Sequence, residues 1–66
     1  MSKLTDKKLN KTIEAFYVKA ANGKAINIMD IGKVFRAGRD AYAATADLAV
    51  VDAAVTAAVA VYCEAP

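Results

Sequence analysis

Between Asn27 and Pro66 the sequence offers a helix almost no place to stop. Proline is absent until the last residue, and the only glycines in this stretch are Gly32, close to its beginning, and Gly38. Proline and glycine most often interrupt or end helices, so their scarcity predicts one long helix over about residues 28–63, on the order of 50 Å at 1.5 Å per residue. Asn27-Ile28-Met29-Asp30 supplies its start, with Asn27 as the cap and Asp30 where a capping box usually has glutamate. Gly38 is expected to allow a close helix contact or a mild bend.

Upstream, Leu9, Ile13, Phe16, Tyr17 and Ala20 recur at helical spacing, while Lys7, Lys8, Lys11, Glu14 and Lys19 fall largely elsewhere. That pattern predicts an amphipathic helix over about residues 5–21, roughly 25 Å long. Thr5 caps it, Asp6 suits the positive end of its dipole, and Asn22-Gly23 closes it because glycine tolerates the left-handed backbone that follows a helix. Residues 22–27 form a connector, since Ala25, Ile26 and Ile28 have no second strand to pair with. The expected fold is all-α: one small helical domain over residues 1–66, a hairpin of unequal arms, packed in an oligomer.

The inequality of the arms carries the functional expectation. Ile31, Val34, Phe35, Ala41, Tyr42 and Leu48 share a face that the short helix can cover, and Arg36, Asp40 and Asp47 lie opposite. From Ala49 onward, valine and alanine populate every angle around the axis, the pattern of a buried helix. Nothing else in the chain is long enough to bury it, so neighbouring copies are expected to do so through Val51, Ala54, Val55, Ala58, Val59 and Tyr62. Burying a valine fully contributes about 1.5–3 kcal/mol. Asp52 and Thr56 interrupt the apolar segment, either to fix register across an interface or because that side is exposed.

Size points the same way. A chain of 66 residues buries only about 60% of the surface its unfolded form exposes and is marginal alone, although 58% of it is hydrophobic. One cysteine and no histidine exclude a disulfide framework and a Cys/His zinc site. The longest charge-free stretch near the C-terminus, Ala53 to Cys63, is shorter than the roughly 20 residues of a membrane span. No apolar segment follows the charged N-terminus as a signal peptide requires. A cytoplasmic location, or one inside an intracellularly assembled particle, is expected.

Charge divides the chain. All nine cations lie at or before Arg39 against three carboxylates, a balance of +6, whereas Asp40, Asp47, Asp52 and Glu64 give −4 for the remainder. Lys7, Lys8, Lys11, Lys33, Arg36 and Arg39 are candidate contacts to an anionic partner, or to the acidic part of another copy. Nucleic acid belongs to that class, but no nucleic-acid-binding motif is present.

Catalytic chemistry has few carriers. Ser2 is the only serine, and Cys63 falls at a helix C-terminus, where the dipole disfavours a thiolate. No phosphate loop, metal site or cofactor motif is present, and the chain is expected not to be an enzyme. The expected function is structural: a small helical subunit of a multi-copy complex, such as a phage or virion component, that self-associates through its Ala/Val-rich segment. The alternative is a small adaptor or inhibitor whose basic N-terminal half binds nucleic acid or an acidic protein.

Overall fold

A computed structural model describes residues 4–63, all-helical with three packed helices: α1 (Asp6–Ala21), α2 (Ile28–Thr45) and α3 (Leu48–Tyr62). The long arm expected over residues 28–63 is thus two helices, and the hairpin is corrected to a three-helix bundle.

The first helix follows its sequence closely. Thr5 caps it, its hydroxyl accepting from the Lys8 amide at 3.2 Å. Its last turn closes where Asn22 turns left-handed at φ 48° and donates its amide to the Val18 carbonyl, and Gly23 continues at φ 80°. Leu9 and Ile13 are buried, with Phe16, Tyr17 and Ala20 packed against the same core.

Asn27 caps α2 as expected, its side-chain carbonyl accepting from the Met29 amide at 2.9 Å. Asp30 sits 3.4 Å from the Lys33 ammonium. The helix then ends at Thr45 without glycine or proline. Ala46 takes the left-handed conformation at φ 52° and donates its amide to the Tyr42 carbonyl at 2.7 Å. The Thr45 hydroxyl donates to the Ala41 carbonyl at 2.8 Å and accepts from the Asp47 amide at 3.2 Å. Asp47 then caps α3, its carboxylate accepting from the Ala49 amide at 2.9 Å.

Left-handed alanine costs roughly 1–2 kcal/mol. A cap of the Asp47 kind contributes about 1 kcal/mol. The fold-back also brings Val51, Val55 and Val59 into the core, each worth about 1.5–3 kcal/mol when buried. Packing therefore outweighs the strain at the joint, and this is why the helix breaks where the local sequence carries no breaker.

Contacts at both ends fix the course of the chain. Tyr17 at the end of α1 meets Phe35 near the start of α2, ring centroids 6.3 Å apart, while the Leu4 amide donates to the Tyr42 hydroxyl at 3.0 Å. Lys33 lies 5.4 Å above the Tyr62 ring, and the backbone of Ile26 bridges to Cys63. So α2 runs antiparallel to both α1 and α3, in a rod 41 × 18 × 17 Å.

The core is Leu9, Ile13 and Ala21 from α1, Val34 from α2, and Val51, Val55 and Val59 from α3. Gly38 is buried at a close contact between the three helices, as expected. A Cβ there would stand 2.9 Å from a Val55 methyl and 3.0 Å from Ile13.

Candidate association surfaces

The expectation that residues 49–63 lack cover within the chain needs correction for one face of α3. Val51, Val55 and Val59 recur every fourth residue and are buried against α1 and α2, while Ala54, Ala58 and Tyr62 are half-buried at the margins. This face is interior to a single chain.

The opposite face remains open. Ala49, Val50, Ala53, Ala57, Ala60 and Val61 point away from the core and are exposed, Val50 at 39% and Val61 at 73%. No charged residue interrupts this face, because the only ionisable groups between Leu48 and Cys63 are Asp52, Tyr62 and Cys63. Asp52 is turned to the side, where one oxygen lies 3.3 Å from the Lys19 ammonium and the other accepts from the Thr56 hydroxyl at 3.3 Å. It ties α3 to α1 within the chain.

The six basic candidates have different surroundings. Lys7, Lys8 and Lys11 stand exposed on α1 with no ion pair among the described residues. Lys33 faces α3, between Asp30 and the ring of Tyr62. Arg36 approaches Asp40 at 3.9 Å, the expected i,i+4 pair, with both side chains largely in solvent, so the contact contributes little. Arg39 lines an open recess of about 370 Å³ with Leu4, Asp6, Leu9, Asp40, Tyr42 and Ala43. Arg36 and Arg39 also border a second recess with Gly32, Phe35 and Asp40.

Cys63 caps the end of α3, half-buried against the core, its amide donating to the Val59 carbonyl at 2.8 Å. The sequence reasoning missed the most exposed large apolar residues among those described, Ile28 at 84% and Met29 at 81%. Met29 was legible, since it lies off the stripe formed by Ile31, Val34, Phe35, Ala41 and Tyr42. Ile28 lies at the edge of that stripe, and its exposure comes from its place in the first turn.

The fold and its surfaces define a three-helix bundle with one open Ala/Val face. Among the described residues no helix is long and apolar enough to cross a membrane. Comparisons with family models, curated proteins and solved structures return no match.

Proposed function

We propose that the chain is a non-catalytic structural subunit of a multi-copy assembly, of the kind that builds phage or virion particles inside a cell, and that copies associate through the outward face of α3. The observation that carries this reading is the uncharged surface of Val50, Ala53, Ala57, Ala60 and Val61. Small side chains let helix axes approach to about 8 Å, and burial of Val50 and Val61 would drive the contact. The surface thus replaces Val51, Val55 and Val59 as the contact between copies, with Ala54, Ala58 and Tyr62 left at its margins.

Sedimentation velocity across a dilution series, on the parent chain and on Ala57→Glu, tests the reading. The parent chain should be oligomeric at micromolar concentration and Ala57→Glu monomeric with unchanged helicity. A parent chain that stays monomeric throughout would refute self-association.

A second reading has its own support. Lys7, Lys8 and Lys11 are unpaired among the described residues, whereas Lys19 and Lys33 each meet a carboxylate. An adaptor or inhibitor using this α1 surface would bind nucleic acid or an acidic protein with an affinity that falls steeply as salt rises. Assembly through α3 would persist or strengthen.

A further inference from the structure

Four large aliphatic side chains among the described residues are more than half exposed: Val18, Ile28, Met29 and Val61. They belong to the last turn of α1, the first turn of α2 and the last turn of α3, so all four lie at the same end of the rod. Lys19, Lys24 and Lys33 occupy the same end. Its described carboxylate is Asp30, which pairs with Lys33, and Lys19 reaches back to Asp52. Glu64 lies outside the described residues.

From this juxtaposition we infer that the connector end of the bundle docks on an anionic lipid surface, with Ile28 and Met29 entering the headgroup boundary and Lys24, which has no ion pair among the described residues, facing the lipid phosphates. Charge selects the occupant. The same end of a second copy would set its own Lys24 and positive excess against the first, whereas an anionic leaflet attracts them. Nucleic acid is a poor match, because binding to strands relies on aromatic stacking platforms and the protruding side chains here are aliphatic. A bilayer boundary receives protruding aliphatic groups without a shaped pocket.

The backbone also fits an apolar boundary. The amides of Met29, Asp30 and Ile31 are all directed to Asn27, to its side chain or its carbonyl. Entry of this turn therefore strands none of those three donors. The contact is a surface one and needs no spanning segment.

Co-sedimentation with vesicles tests the inference, using pure phosphatidylcholine in one arm and phosphatidylcholine with phosphatidylglycerol in the other. The full chain should bind the anionic vesicles at least about tenfold more tightly, and the preference should shrink as salt screens the lysines. Ile28→Ser/Met29→Ser should lose about tenfold in anionic-vesicle binding at unchanged helicity and melting temperature, because both residues are exposed. Lys24→Glu should weaken binding to anionic vesicles only.

No binding to anionic vesicles at millimolar lipid would overturn the inference. Undiminished binding by the double serine variant would also overturn it, leaving Lys7, Lys8 and Lys11 as a purely electrostatic site. Absence of vesicle binding with an oligomer that the serine pair dissolves would instead assign this end to a second copy. None of these outcomes depends on Ala57→Glu, so failure here is distinct from failure of the α3 contact.

Discussion

The two faces of α3 are built from the same residue types and have opposite fates. Val51, Val55 and Val59 are buried, while Val50, Ala53, Ala57 and Val61 face outward a fraction of a turn away. Side-chain hydrophobicity cannot separate them. The difference arises from the joint at Ala46 and Asp47, which presents one face to α1 and α2 and leaves the other without cover. An apolar helix can therefore be half core and half surface.

Paired substitutions on the two faces should sharpen the contrast. Val55→Asp, the largest expected effect, places a carboxylate against Ile13 and Gly38 with no partner. It should cost about 4 kcal/mol or more and abolish the cooperative transition in circular dichroism. Gly38→Val crowds the same point, where a Cβ already stands 2.9 Å from Val55. We expect a loss of about 1–3 kcal/mol in urea denaturation, and a neutral result would show that the helices can move apart cheaply.

The joint offers effects of opposite sign. Asp47→Ala should destabilise by about 1 kcal/mol through loss of the cap. Ala46→Gly should stabilise by about 1 kcal/mol by relieving the left-handed alanine. A destabilised Ala46→Gly chain would mean that its unfolded-state entropy outweighs the strain. On the outward face, Ala57→Glu should change monomer stability by no more than about 0.5 kcal/mol. A large loss in denaturation midpoint would erase the distinction between the faces.

The two joints explain how much of the fold was legible. Asn22-Gly23 announces the end of α1, because those residues adopt positive φ at little cost. Ala46 makes the same left-handed turn with a residue that disfavours it, so scanning for glycine and proline passes over it. What remained in the sequence was indirect: Thr45 and Asp47, two residues suited to side-chain capping, on either side of Ala46. They identify a joint only once the burial of Val51, Val55 and Val59 supplies a reason to break the helix.

Leu9 and Ile13 of α1 and Val34 of α2 were readable from spacing because polar residues mark the outer sides of those helices, whereas Ala21 is buried off the expected stripe and Leu48, expected on it, opens α3 and is exposed. Residues 48–63 carry too few polar markers, so the sequence located the apolar surplus without saying which half the chain covers itself. Likewise, the basic residues were visible as a cluster along the chain. The fold adds which of them meet a partner: Lys33 lies between Asp30 and Tyr62, whereas Lys7, Lys8 and Lys11 have no ion pair among the described residues.

The brevity of the joint has a consequence for the order of folding. Only Ala46 and Asp47 separate α2 from α3, so these helices can close on each other through the shortest loop in the chain. Docking α1 on α2 closes the longer six-residue connector 22–27, and its ion pair to α3 joins residues 33 apart, Lys19 and Asp52. We expect truncations between α2 and α3 to slow folding and truncations on the outer part of α1 mainly to hasten unfolding, a division that chevron kinetics would reverse if α1 nucleated the bundle. In that sequence of events α2 and α3 form the template, and the N-terminal helix is the last piece to settle onto it.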